Sequence, residues 1–289
     1  MHSRVPRAML QVFEPIVSIG YGSPEVQAAC EQLGLTADRM GYYAMRSAPL
    51  GPVSAEVVAA LFYHHTVDMI APSIPLAWRI ASPETVIAAR FEAVDRAYRR
   101  LLPQQIQSAE VAEAAELVRE ALTGCSTAGR TLFAAHASVP SPAEPHVALW
   151  HGLNQIREYR GDGHVIASIA ARLPPHQAAP MLIACTGEEK AGRSWRWTDD
   201  LWNEAVASLQ ERGWLTDDGR PTAEGLAARA RIEDETDALS LEPWEQLGTE
   251  RAHRLWTILR DLTQALIDQN AIRRLRTPIE LGWPAQWPS

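Results

Sequence analysis

The segment from 157 to 164, R-E-Y-R-G-D-G-H, carries side chains that can bind anions and transfer protons. Arg157 and Arg160 lie three positions apart, so on one helix they face the same way. Their guanidinium groups suit a carboxylate or a phosphate. Arg46 lies in the apolar segment Y-Y-A-M-R-S, where an arginine usually pairs with an acid, and Glu14 is our candidate partner. These three arginines are predicted ligand-binding residues.

The two glycines of this segment favour a turn between two helices. We expect Gly161 to end one helix and Asp162 to cap the next. His164 would then lie in the first helical turn, where the helix dipole disfavours imidazolium and keeps the ring neutral. The segment therefore predicts either ordinary capping or the edge of a ligand cavity. In the second case His164 is a catalytic candidate.

A second group of polar side chains is F-Y-H-H-T-V-D, which follows an apolar helix. His64 is a second catalytic candidate, and Tyr63 and His65 are predicted to bind the ligand. If helical spacing continues, adjacent histidines point to different faces, and only one of them enters a given cavity. The i, i+4 pair of histidines that a zinc-binding helix uses is absent, so we predict no metal site.

A third group lies on the helix that resumes after the proline-rich segment 138–145. His151 and Asn154 share one face, and Trp150 is adjacent to them. Aromatic, amide and imidazole groups together suit a small organic ligand, and they equally suit a polar seam between helices. We include all three as predicted ligand-binding residues.

Composition excludes several classes of protein. The chain has 289 residues and a net charge of −8, whereas proteins that bind nucleic-acid backbones usually carry a basic excess. It shows neither a G-x-G-x-x-G nor a P-loop pattern, so we predict no nucleotide cofactor. No apolar run reaches the length of a membrane span, and the three cysteines are widely spaced. We expect a cytoplasmic protein with reduced thiols and no membrane contact.

Helical periodicity dominates, and signals for strands are scarce, which predicts an all-α fold. Ser54, Ser82 and Ser108 each precede a helical pattern as N-caps. Predicted helices cover residues 24–34, 54–63, 84–102, 108–122, 146–159, 163–173, 181–187, 198–212 and 249–276. The last of these carries a leucine seam that packs either on its own chain or on a second copy of the chain.

The segment after residue 197 has its own organisation. A helix over 198–212 ends at Gly213, a tight turn D-D-G-R-P-T joins two short extended pieces, and another helix follows. This order is typical of a winged helix.

Three stretches together are similar to a large actinobacterial helix-turn-helix family. They are L-G-L-T-A-D-R-M-G-Y-Y-A-M-R, L-F-A-A-H-A-S-V-P-S-P-A-E-P-H-V-A-L-W-H-G-L-N-Q-I-R-E-Y-R-G-D-G-H, and the winged-helix segment with its MarR-like pattern. The resemblance implies a helical domain joined to a winged helix, and it implies no particular reaction. Typical members carry a histidine two positions after the proline of an early E-P pair, whereas this chain has Val17 there.

DNA is a disfavoured partner on electrostatic grounds. The helix in the groove-reading position has Asp199 and Asp200 at its start, and its net charge is −3. The wing turn adds Asp217 and Asp218 against Arg220. Affinity for DNA normally increases as phosphates are neutralised, and carboxylates oppose this. The segment 189–197 just upstream is mildly basic, so DNA binding remains the alternative.

We therefore expect a helical ligand-pocket domain over 1–175, a winged-helix domain over 176–248 and a packing or dimerisation helix over 249–289. The pocket would bind a small organic molecule that is anionic or contains a carbonyl group. The function we predict is a cofactor-independent enzyme of specialised metabolism. The alternative is a ligand-responsive winged-helix transcriptional regulator.

Overall fold

The computed structural model describes residues 1–37, 39–187, 198–271 and 283–288. In these ranges the regular structure is helical, apart from one isolated antiparallel bridge between Leu215 and Pro221. The predicted all-α class is confirmed. None of the helices in the described ranges has the length and apolar character needed to cross a membrane.

The α-helices of the described ranges follow the chain in a regular succession. They are α1 (Val5–Gly22), α2 (Pro24–Gln32), α3 (Met40–Ser47), α4 (Ala55–Phe62), α5 (Val67–Ile70), α6 (Leu76–Ile80), α7 (Pro83–Leu101), α8 (Ala109–Leu122), α9 (Thr131–Ala137), α10 (Pro145–Ala170), α11 (Pro175–Thr186), α12 (Asp199–Glu211), α13 (Ala223–Ala238), α14 (Glu242–Leu247) and α15 (Thr249–Asp268). Short 3-10 helices cover Ala48–Leu50 and Gln105–Gln107.

Side-chain caps fix where several of these helices begin. The hydroxyl of Ser82 accepts a hydrogen bond from the backbone N–H of Thr85, and Ser108 and Thr198 cap α8 and α12 in the same way. Such caps satisfy backbone donors that the first helical turn leaves without partners. The predicted starts of α7, α8 and α12 are thereby confirmed.

The helix α10 lies at the centre of the molecule and contacts α1, α8, α9 and α13. Its Trp150 packs directly on Gly20 of α1, where an added Cβ atom would come within 2.2 Å of the indole. Glycine at this point lets the two helices approach closely. The main apolar core surrounds this contact and is formed by α1, α7, α8, α10, α14 and α15.

The prediction of a break at Gly161 is wrong, because α10 continues without interruption from Pro145 to Ala170. Asp162 therefore does not cap a following helix. Its carboxylate instead accepts the backbone N–H of Phe133 at 2.9 Å, near the start of α9. His164 lies within the helix, so the argument that a helix start keeps it neutral does not apply.

Long-range packing explains why a glycine is accommodated at position 163 inside α10. A Cβ atom on Gly163 would come within 2.9 Å of Nη1 of Arg130 and 3.3 Å of Cβ of Leu239. The helix therefore needs a small residue at this position to pack against its neighbours. Contacts between segments far apart in sequence decide the conformation here, and local propensity does not.

We expect Gly161→Ala to raise the free energy of unfolding by about 0.5–1 kcal/mol, because alanine is the better helix former. The new Cβ atom would meet only Oε2 of Glu158, at an ordinary 3.7 Å. Urea denaturation of Gly161→Ala and of Gly163→Ala gives a matched comparison within one helix. The second variant should lose stability through its clash with Arg130, and a loss in the first would contradict an uninterrupted α10.

Another apolar cluster joins the end of α10 to α11, α12, α13 and the turn between the last two. It contains Trp214 and Leu215 of the turn, Ile232 of α13 and Met181 of α11. Helix α11 begins at Pro175 and is longer than the predicted helix over 181–187. The turn between α12 and α13 pairs Thr216 with Arg220 through the backbone.

The C-terminal helix α15 ends at Asp268, and the predicted extension to Arg276 lies outside the described residues. The basic segment 189–197 also lies outside them. The leucine seam of α15 is buried against α1 and α8 of its own chain. The seam therefore packs within the chain, so it does not form the surface of a dimer. A homodimer stays a prediction. The predicted domain boundaries also stay predictions.

Candidate functional site

A cleft of about 680 Å³ lies between the helical body and the helices α11 and α13. The body contributes α1, α3, the end of α4 and the middle of α10 to its walls. The lining residues with polar or aromatic side chains are Glu14, Arg39, Tyr42, Arg46, Phe62, Tyr63, His64, His65, Arg157, Arg160, Asp162, His164, Thr186, Arg229 and Glu233. Helix α13 therefore supplies charged groups to a site that the body otherwise forms.

Seven of the ten predicted site residues line this cleft, although they come from three separate segments. They are Arg46, Tyr63, His64, His65, Arg157, Arg160 and His164. Trp150, His151 and Asn154 do not line it. The structure thus brings the first two predicted groups together, while ligand binding by them stays a prediction.

The three residues outside the cleft are buried in the packing around α10. The indole N–H of Trp150 donates to the carbonyl of Val17 at 3.0 Å. His151 contacts the carbonyl of Val139 at 3.3 Å, and Asn154 donates to Nδ1 of His136 at 3.0 Å. This is the polar seam between helices that the sequence left open as an alternative.

Both His64 and His65 line the cleft, so the expectation that only one of them enters it is wrong. The helix α4 ends at Phe62, and the next residue, Tyr63, has a positive φ of 52°. The two histidines therefore do not follow helical spacing. The Tyr63 hydroxyl donates to the carbonyl of Leu173 at 2.5 Å, which ties this bend to the end of α10.

The arginines on the body side converge on Glu158, a residue that sequence reasoning missed. Glu158 is fully buried, and its carboxylate accepts two hydrogen bonds from Arg46, at 3.0 and 2.7 Å. Arg157 and Tyr21 donate to the same carboxylate, each at 3.2 Å. Burial alone would raise the pKa of Glu158, but Arg46 and Arg157 hold it well below its ordinary range.

The predicted pairing of Arg46 with Glu14 is therefore wrong, because Arg46 pairs with Glu158. Glu14 instead accepts from Nε of Arg157 at 3.1 Å. A signal for Glu158 was present in the sequence, since Asn154, Glu158 and Asp162 recur every four residues along α10. That spacing places polar groups on one helix face among apolar residues.

A second ionic group connects α10 to α13. Nη2 of Arg160 lies 3.1 Å from Glu233 and 3.2 Å from Asp237. Arg229 contacts Glu233 at 2.6 Å. Burial alone would raise the pKa of Glu233, but Arg229 and Arg160 lower it to about 2. The carboxylate is therefore charged at neutral pH and closely held by two cations.

Two of the three histidines in the cleft are poorly suited to proton transfer. Burial lowers the pKa of His64 and of His65 to about 3, so both rings are neutral and weakly basic. A weak base is poorly matched to general-base catalysis near neutral pH. Nδ1 of His164 lies 3.0 Å from the hydroxyl of Thr236, which itself donates to the carbonyl of Ile232. Nδ1 of His164 is therefore the donor in this contact.

One wall of the cleft is aromatic. Tyr42 and His65 stack with ring centroids 5.9 Å apart, and Phe62 lies about 6.0 Å from each of them. The guanidinium of Arg46 lies over the Phe62 ring, 4.2 Å from its centroid. The cleft thus presents flat apolar surfaces beside cationic hydrogen-bond donors, a combination that suits a planar ligand with an acidic group.

The exposed surface of α12 is acidic in the folded protein. Asp199, Asp200, Glu204 and Glu211 are exposed, whereas Arg212 turns back and donates to the carbonyl of Arg172 at 2.7 Å. In the adjacent turn, Arg220 pairs with Asp218 at 2.7 Å. The basic residues of this region therefore already have partners. Its exposed carboxylates would oppose the phosphates of a DNA groove.

Comparison with known proteins gives a family and no individual relative. No curated protein and no solved structure matches the chain. A family model described as a helix-turn-helix family matches residues 6–273. The match includes the cleft and the helices α11 to α13, and it extends over nearly the whole chain. The chain therefore belongs to this helix-turn-helix family.

Proposed function

We propose that this helix-turn-helix protein binds a small organic anion in the cleft between its helical body and helix α13. One observation carries the proposal: arginines from α10 and from α13 meet in the same cleft, beside an aromatic wall. We take α12, α13 and the turn between them, residues 199–238, as the helix-turn-helix segment. A molecule held by Arg160 and Arg229 then contacts this segment and the body together. Occupancy of the cleft then bears on the position of that segment.

The donors in the cleft define the chemistry of the ligand. A guanidinium group donates hydrogen bonds and accepts none, so the arginines select oxygen-rich acceptors such as carboxylate and phosphate. Tyr42 and Phe62, which meet edge to face, line the cleft and provide ring carbons for contact with an aromatic or conjugated ring. We therefore propose a planar acid as the ligand, and phenyl phosphate has both features.

The enzyme hypothesis receives no added support from the geometry, because His64 is a weak base. We place no reaction in the cleft. The second candidate function is a ligand-responsive transcriptional regulator, which membership of the helix-turn-helix family favours. If α12 and the following turn act as a degenerate winged helix, their acidic surface predicts weak DNA binding at physiological salt. A mobility-shift titration with the DNA upstream of the protein's own coding sequence tests this.

We expect phenyl phosphate to bind the wild-type protein in a calorimetric titration, and Arg160→Ala to weaken that binding about 10- to 100-fold. The loss follows from removal of a charge-assisted hydrogen-bond donor, worth about 1.5–3 kcal/mol. Arg119→Ala is the matched control, because Arg119 is exposed on α8 and pairs only with Glu116 among the described contacts. Equal affinity of all three proteins would exclude the cleft as the site, and no binding by the wild type would contradict the proposed function.

A further inference from the structure

Glu233 occupies the position in the cleft where an external anion would be expected. Its two oxygens contact Arg160 at 3.1 Å and Arg229 at 2.6 Å, and Nδ1 of His164 lies 3.9 Å away. The side chain is 23% exposed and belongs to the cleft lining. The protein's own carboxylate therefore satisfies the cations that a bound carboxylate or phosphate would use.

The two arginines differ in what they retain if Glu233 moves away. Arg160 keeps Asp237, a nearly buried carboxylate at 3.2 Å. Arg229 has Glu233 as its acid partner among the described residues. Displacement of Glu233 therefore leaves Arg229 without an acid partner among the described residues, and leaves Arg160 with Asp237 alone. An external anion with at least two acceptor oxygens can satisfy both.

The described polar attachments of α13 to α1 and α10 lie in its C-terminal half, between Glu233 and Asp237. Asp234 and Asp237 pair with Arg7 of α1, at 3.1 and 2.8 Å. Thr236 contacts His164 of α10, and Glu233 pairs with Arg160 one residue before Asp234. Loss of the Glu233 pair therefore removes the attachment nearest to the N-terminal half of α13 and leaves those at Asp234 to Asp237 in place.

The N-terminal half of α13 is continuous with the helix-turn-helix segment. Thr222 caps the helix by accepting from the backbone N–H of Gly225, and its own N–H donates to the carbonyl of Trp214. Ala228 and Ile232 pack in the same apolar cluster as Trp214. A movement of this half therefore also displaces the turn between α12 and α13.

We infer that Glu233 is an internal anion that occupies the ligand's acidic subsite, and that a carboxylate or phosphate ligand binds by displacing it from Arg160 and Arg229. This inference rests on the proposed function, because it assigns the regulation of the same cleft. Ligand entry exchanges an internal ion pair for an external one. The exchange replaces the direct pair of Glu233 with Arg160 by a connection that runs from Arg160 through the ligand to Arg229, and so couples occupancy of the cleft to the helix-turn-helix segment.

Titration of phenyl phosphate into wild type and Glu233→Gln tests the inference. Removal of the internal competitor's charge should increase the affinity at least 10-fold, although glutamine keeps the size of the side chain that lines the cleft. Asp234→Asn is the matched control, because it removes the same charge from the adjacent, exposed position of α13. We expect the affinity of this control for phenyl phosphate to differ from that of the wild type by less than twofold. An increase equal to that of Glu233→Gln would show that the change in net charge causes the effect, and would overturn the inference.

The outcomes separate the two proposals. If the wild type binds phenyl phosphate and Glu233→Gln binds it equally or more weakly, the inference fails while the proposed function stands. If only Glu233→Gln binds, the internal anion is supported and the proposed function fails for the wild type. If neither protein binds, both fail.

Discussion

Replacement of Glu158 by glutamine is expected to lower the free energy of unfolding by about 3–5 kcal/mol, the usual cost of breaking a buried ion pair on one side. Glu158 is fully buried and neutralises Arg46 and Arg157, which both approach it within hydrogen-bonding distance. Glutamine keeps the size of the side chain and removes its charge. Arg157 would keep Glu14, whereas Arg46 would lose its carboxylate partner among the described residues, so a cation would remain in a poorly solvated position.

Urea denaturation at neutral pH measures this loss. Glu116→Gln is the matched control, because Glu116 is exposed on α8 and pairs with Arg119 at the surface. Exposed pairs contribute about 0–1 kcal/mol, so this variant should stay close to the wild type. If Glu158→Gln also lost less than 1 kcal/mol, Glu158 would not be the buried centre of the cationic network.

Acid is expected to destabilise the protein at pH values where most of its carboxylates are still charged. Burial lowers the pKa of His65 and His136 to about 3 and that of His151 to about 4, all below an ordinary 6.5. These rings stay neutral in the folded protein and take up protons on unfolding. Their stabilising contribution is therefore complete above pH 6.5 and is lost as the pH falls from 6.5 toward 3. Each contributes a slope of about 1.4 kcal/mol per pH unit in that window.

The hydrogen bonds of His136 also favour its neutral form in the folded protein. Its Nε2 contacts the carbonyl of Arg46, and its Nδ1 accepts from the side-chain amide of Asn154. Protonation of Nδ1 would place its N–H against the N–H of Asn154, and this hydrogen bond would be lost.

Two carboxyl groups oppose this trend. Burial raises the pKa of Asp162 to about 6 and also raises the pKa of Asp237, so their protonation favours the folded state as the pH falls toward their ordinary 3.8. Two opposing groups cannot offset several histidines, and the net stability should decrease between pH 7.5 and 5. Denaturation curves at pH 7.5, 6.5 and 5.0, with proton uptake on unfolding, measure the effect. Equal stability at the three values would contradict burial of these histidines.

Local sequence signals predicted most helix starts and failed within α10. Ser82, Ser108 and Thr198 are caps whose effect extends over three residues, so their role is readable from the sequence. Gly161 and Gly163 resemble a helix stop, yet the second packs against Arg130 and Leu239, which are distant in sequence. A single sequence does not reveal that packing, and this is why the continuous helix was missed.

The same distinction holds for the site. Residue types predicted the arginines and histidines that meet in the cleft, because few side chains have those chemistries. Which carboxylate pairs with which arginine was not predictable, since Glu14, Glu158 and Glu233 come from α1, α10 and α13. The sequence also left open whether Trp150 and His151 line a ligand pocket or pack between helices. The answer depends on which neighbours their face of α10 meets, and only the fold decides that.

A crystal structure of the protein grown with phenyl phosphate tests the central claim most directly. The account predicts the phosphate group within about 3 Å of the guanidinium nitrogens of Arg160 and Arg229, with the ring against Tyr42 and Phe62. A cleft without ligand at saturating concentration, or a ligand bound elsewhere while both arginines keep Glu233, would contradict it.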